Sequence, residues 1–124
     1  MELWTIQLAQ WRAAKARGVP LIDTTVKSGD PVFAPNWTIV QGVKANMITE
    51  QEYTERYLDL MRSSFKQNRP RWLTLCSMEQ VAIACYCPVG VFCHRHLLAN
   101  MIEKVCSAHG LPFQAMGELL PSPK

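Results

Sequence analysis

Short apolar strands alternating with helical segments predict a small three-layer α/β domain with a mostly parallel sheet of about four strands. Three observations carry this expectation. Residues 81–87, VAIACYC, form an apolar run without alternation, as in a strand covered on both faces of a parallel sheet. Residues 9–17 and 93–109 have helical composition, and each meets a glycine, Gly18 and Gly110, where a left-handed residue closes a helix. The element types alternate, strand then helix, from the first residues onward. With 124 residues the chain suits one core, placed at residues 1–120 with a flexible tail over 121–124.

Each element follows from its local chemistry. Residues 3–6, LWTI, are aromatic and β-branched and predict the first strand. Residues 19–26, VPLIDTTV, predict a second strand that turns polar at its end, and Lys27-Ser28-Gly29-Asp30-Pro31 is turn chemistry. In residues 32–43 Pro35-Asn36 interrupts the pattern, which predicts a long loop with a short hairpin or edge strand at 38–41. Thr49 followed by Glu52 forms a capping box. The helix it opens runs to about Phe65, with Tyr53, Tyr57, Leu60, Met61 and Phe65 on one face. Pro70 suits the first turn of a further short helix ending at Cys76. Residues 111–120 predict a final edge strand.

A net charge of +3 admits nucleic acid or phosphate ligands but falls short of a dedicated DNA binder. The first residues lack a basic start followed by a long apolar stretch, and no run is long enough to span a membrane. The expected location is therefore the cytoplasm. There, five cysteines are expected as thiols, metal ligands or catalysts rather than disulfides.

The chemistry concentrates in the stretch CYCPVGVFCHRH, which holds Cys85, Cys87, Cys93, His94, Arg95 and His96 where a strand gives way to a helix. Cys85 follows Ala84 inside the strand and reads as a small core residue. Cys87 ends the strand, and Cys93, His94 and Arg95 open the helix, where unpaired N–H groups favour anions and thiolates. Ligands of parallel α/β sheets bind beyond the carboxyl ends of the strands. Right-handed crossovers bring the end of the second strand, with Asp23, Thr24, Thr25, Lys27 and Ser28, to the same edge.

Three chemistries fit this cluster. In the favoured one, Arg95 and the loop amides from Gly90 hold a phosphate, with Lys27, Thr25 and Ser28 completing the pocket. Cys87 or Cys93 is then the reactive thiol, His94 the acid/base group and Asp23 a general base. This follows the logic of cysteine phosphatases and rhodaneses, although the separation of Cys87 from Arg95 is longer than in a phosphatase. In the second, an alternative to the favoured expectation of no metal or cofactor, Cys87, Cys93, and His94 or His96 bind zinc. In the third the cluster is structural, with Arg95 paired to Asp23. Tyr53, Tyr57 and Met61 are expected in the core, and Phe33, Asn36 and Trp37 are candidates to cover a pocket. Arg56, Arg62, Lys66, Arg69 and Arg71 are expected to form a solvated basic face.

The Cys87, Cys93-His94-Arg95 pattern, with LIDTTVKSG before it and the EYTERY helix between, resembles the bacterial and phage family known as DUF488. The resemblance covers most of the chain and implies a compact α/β fold with a ligand site around Cys-His-Arg, without an established activity. Its phage members imply a second class of function, an interaction protein that inhibits a host protein without catalysis. The expected partners are a phosphate-bearing small molecule or nucleic acid, or such a host protein, with the oligomeric state left open.

Overall fold

The computed structural model describes residues 1–88 and 90–121; of the tail expected at 121–124, residues 122–124 lie outside the described residues. Four parallel strands, β1 (Glu2–Gln7), β2 (Leu21–Asp23), β3 (Gln80–Cys85) and β4 (Gln114–Glu118), form one sheet in the order β2-β3-β1-β4. A 3-10 turn at Leu8–Gln10 leads into α1 (Trp11–Ala16), and α2 (Trp37–Lys44), α3 (Glu50–Gln67) and α4 (Arg69–Cys76) connect β2 to β3. The fifth helix, α5 (His94–Ala108), connects β3 to β4. The expected α/β class with a parallel sheet is what the chain adopts.

The apolar run of β3 divides its side chains between two cores. Val81 and Ile83 pack with Leu3, Tyr57, Met61, Trp72, Leu98 and Ile102 under the larger helical layer. Ala82 and Ala84 face the other way, towards Trp4, Ile6, Ala14, Val19 and Leu119 on the α1 side. Burial on both faces explains why the sequence of β3 shows no alternation. Cys85 continues the Val81–Ile83 face, which aims its sulfur at the start of α5.

Several local signals act as read. Thr49 accepts from the Glu52 amide at 3.0 Å, and Glu52 accepts from the Thr49 amide at 3.2 Å, closing the capping box of α3. Pro70 sits in the first turn of α4, and Gly18 and Gly110 take positive φ past α1 and α5. In β4 the register with β1 skips Met116, and Gly117 at φ +83° absorbs the bulge.

The expected loop with a hairpin at 38–41 is instead the helix α2. Asn36, read as a break, is its N-cap: the side chain accepts from the Ile39 amide at 3.0 Å. Strand lengths also differ, because β2 keeps only three residues of the eight expected and β3 ends at Cys85 rather than Cys87. After Asp23 the chain folds back on itself: Asp30 N–H donates to the Asp23 carbonyl at 2.8 Å and Gly29 N–H to Thr25 at 2.9 Å. A Cβ at Gly29 would sit 2.6 Å from the Asp23 carbonyl oxygen, so this turn closes only on glycine. The following segment is tied down by Tyr57 Oη on the Phe33 carbonyl at 2.7 Å, Ser64 Oγ on Val32 at 2.6 Å, and Arg71 on Asp30 at 3.1 Å.

Candidate functional site

At the carboxyl ends of β2 and β3 lies a cavity of about 510 Å³. Its position follows from topology: β2 and β3 are neighbours, Asp23 aligns with Ala84, and both chains then leave the sheet together. The turn after β2 supplies Thr25, Val26 and Lys27 to one wall. The α2 helix supplies Trp37, Val40, Val43 and Lys44, and α3 supplies Glu50 and Tyr53. Tyr86, Cys87, Val91 and Phe92 come from the β3–α5 loop, and Cys85, Cys93 and His94 close the inner end. The walls are thus mainly aliphatic and aromatic, with Lys27 and Lys44 as the cationic groups and Glu50 as the acidic one.

The inner end is a set of fixed contacts. Cys85, from the last position of β3, and Cys93, the N-cap of α5, meet sulfur to sulfur, whereas Cys76, Cys87 and Cys106 are free. The two sulfurs meet because the β3 face and the α5 N-terminus converge on one point. Cys85, read as mere core filling, is therefore part of the site.

His94 is buried beside the two sulfurs. Its Nε2 lies 2.8 Å from the Thr24 carbonyl and 3.0 Å from Thr24 Oγ1. Thr24 Oγ1 donates to the Ala84 carbonyl at 2.8 Å, so both Thr24 oxygens receive from an Nε2–H. The imidazole is then neutral, with a bare Nδ1 facing Cys93 Sγ at 3.8 Å. Burial pushes the His94 pKa down to about 4; the bond to Thr24 opposes that shift and the charge of Arg95 adds to it.

Arg95 does not reach the cavity. It is 0% exposed, and its guanidinium donates to Glu118 at 3.0 and 3.3 Å, to the Cys87 carbonyl at 2.8 Å and to Cys85 Sγ at 2.9 Å. Glu118 also accepts from Thr5 Oγ1 at 2.6 Å. The predicted Arg95–Asp23 pair is thus replaced by Arg95–Glu118, because β4 lies beside β1 and brings its carboxylate to the helix face of the sheet. Asp23 instead serves its own turn, accepting from the Thr25 amide at 2.8 Å and Ser28 Oγ at 2.7 Å. Burial raises its pKa, but those hydrogen bonds outweigh it and hold the group below the usual carboxylate value.

The other predicted residues divide cleanly. Cys87, Cys93, His94, Thr25 and Lys27 line the cavity. Ser28 stands behind the wall, bonded to Asp23 and within 3.2 Å of Tyr86 Oη. Gly90 is exposed at φ +84° in the turn before α5, and His96 is exposed, outside the sulfur–imidazole group. Sequence reasoning missed Lys44, Tyr53 as a wall residue, and Glu118. Trp37, named as a possible cover, does line the cavity. The Asn36 cap was the signal that would have put Trp37, Val40, Val43 and Lys44 on one helix. Among the described residues, no helix is long and apolar enough to cross a membrane.

Residues 6–105 match the family DUF488-N3a, described as "Active DUF488-N3 subclade". No curated protein and no solved structure matches the chain.

Proposed function

This chain belongs to the DUF488 family, and on that premise we propose that its cavity binds a phosphate-bearing ligand with an aromatic body, a nucleotide or a nucleic-acid end. One observation carries the reading: two lysines, Lys27 and Lys44, against the single carboxylate of Glu50, flank a cavity walled mainly by rings and aliphatic side chains. Its volume of about 510 Å³ falls among cavities that enclose small ligands. The exposed rings of Trp37 and Tyr86 are the ones open to stacking by a base, and such stacking contributes about 1–3 kcal/mol per base. The lysines supply the anion contact that the sequence assigned to Arg95, whose guanidinium is already committed to Glu118.

Cys87 is the free thiol that such a ligand meets, since Cys76 and Cys106 are buried in the core. The matched subclade is described as active, which is compatible with thiol chemistry at Cys87 as well as binding.

Alkylation of Cys87 by iodoacetamide, followed by mass spectrometry, tests the reading. Adenosine and guanosine monophosphates should slow labelling and quench Trp37 fluorescence, with inorganic phosphate weaker than either. Lys27→Ala with Lys44→Ala should abolish protection by the nucleotides. Labelling at the same rate with and without millimolar nucleotide sinks the proposal.

A further inference from the structure

The sulfurs of Cys85 and Cys93 and an imidazole nitrogen of His94 lie within 4.8 Å of one another at the inner end of the cavity. We infer that they are the three protein ligands of a tetrahedral zinc ion whose fourth position opens into the cavity. This goes beyond the nucleotide reading and rests on it only for what occupies the open position.

The backbone spacing favours a bridging ion. The Cα atoms of Cys85 and Cys93 are 7.6 Å apart. Disulfides form over roughly 4.4–6.8 Å, whereas two thiolates each about 2.3 Å from a common zinc tolerate a wider span. The two sulfurs nonetheless converge from rigid elements, the end of β3 and the N-cap of α5.

The imidazole is set up as a ligand. The Thr24 carbonyl, 2.8 Å away, fixes the proton on Nε2 and leaves the Nδ1 lone pair facing Cys93 Sγ at 3.8 Å. A backbone carbonyl on the far nitrogen is the usual device that orients a zinc-bound histidine. Around a disulfide, that lone pair would face two sulfurs with no donor to bind.

Charge completes the case. Arg95 Nη1 donates to Cys85 Sγ at 2.9 Å, a contact suited to a thiolate. Two thiolates balance a divalent cation, and Arg95 is balanced by Glu118 at 3.0 Å, so the buried site closes neutral. Soft sulfur with imidazole selects zinc over the harder divalent ions. All three ligands also line the cavity, which is the arrangement of an open, catalytic-type centre rather than a closed structural one. There the ion would take an oxygen of an anionic ligand, or a water that the ligand displaces. Cys87, free in the cavity wall, and His96, exposed, stand outside this set.

Elemental analysis of protein purified under reductant without added metal is the direct test. About one zinc per chain is expected for the unaltered protein and for Cys87→Ser, and at least about a tenfold loss for Cys85→Ser, Cys93→Ser and His94→Gln. Should those three variants fail to fold, cobalt(II) exchange into the unaltered protein replaces them. It should give thiolate-to-cobalt charge transfer and tetrahedral visible bands. Zinc below about a tenth of an equivalent together with no cobalt bands overturns the inference. So does a Cys85–Cys93 disulfide found by mass spectrometry after alkylation without reductant. Cys87 protection is scored separately: zinc without nucleotide protection keeps this inference and removes the previous reading, and protection without zinc does the reverse.

Discussion

The inner end and the rim of the cavity are built on opposite terms. At the inner end His94 pairs with Thr24 and Arg95 with Glu118 through short contacts from three separate segments, and no buried side-chain polar atom among the described residues lacks a partner. At the rim Trp37 is 50% exposed, Tyr86 and Val91 are similarly open, and Lys27 and Lys44 are exposed. The difference separates two tasks. On the proposed function, a fully paired inner end would hold reactive atoms in one geometry, whereas an exposed rim would select among ligands at little cost to the fold.

The sharpest way to break the comparison is to unpair the inner end. Glu118→Ala leaves the Arg95 guanidinium buried without its carboxylate and should destabilise the protein by about 3–5 kcal/mol in denaturant titration. A loss below about 1 kcal/mol would mean that water reaches Arg95 and that the inner end is not closed.

Acid should act next. Burial gives His94 a folded pKa of about 4, below the ordinary value of 6.5, and the titration is run with a chelator present. As pH falls the unfolded chain therefore takes up this proton first. The stability owed to the neutral ring is complete above pH 6.5 and drains away towards pH 4, by up to about 3 kcal/mol. Urea midpoints across that window should fall in the parent, and His94→Gln should flatten the slope. An equal slope in both proteins would assign the acid sensitivity elsewhere.

A smaller effect is expected behind the wall. Tyr57→Phe leaves the buried Phe33 carbonyl without its 2.7 Å donor, at about 1–3 kcal/mol in thermal or chemical unfolding. The rim should respond least in stability. Trp37→Ala is expected within about 0.5 kcal/mol of the parent, while nucleotide affinity by fluorescence-independent calorimetry falls roughly tenfold. A Trp37→Ala protein that loses stability but not affinity would invert the proposed division.

How far the sequence reveals this depends on how local each signal is. The capping box at Thr49, Pro70 at the start of α4 and the uninterrupted apolar run of β3 are complete within a few residues, and they place helices and strand correctly. The Cys93-His94-Arg95 triplet likewise marks where the site lies. Asn36 was equally local, but Pro35 beside it has two readings, a break or a helix entrance, and only packing of Ile39 decides between them. Cys85 and Glu118 were invisible for a different reason. A small buried cysteine has no distinguishing neighbours in sequence, and Glu118 meets Thr5 across 113 positions, a contact that exists only once β4 has paired with β1.

That last pairing carries a kinetic consequence. Because β4 lies against β1, the counter-charge of Arg95 and the partner of Thr5 arrive from the far end of the chain. Contacts of such sequence separation are the slowest to close, since their loop entropy must be met before they contribute. During synthesis the first strand is therefore made early and waits for the last, and Arg95 stays solvated until Glu118 appears. The anchor of the inner end therefore forms only once β4 has paired with β1, after every helix that surrounds it has been made.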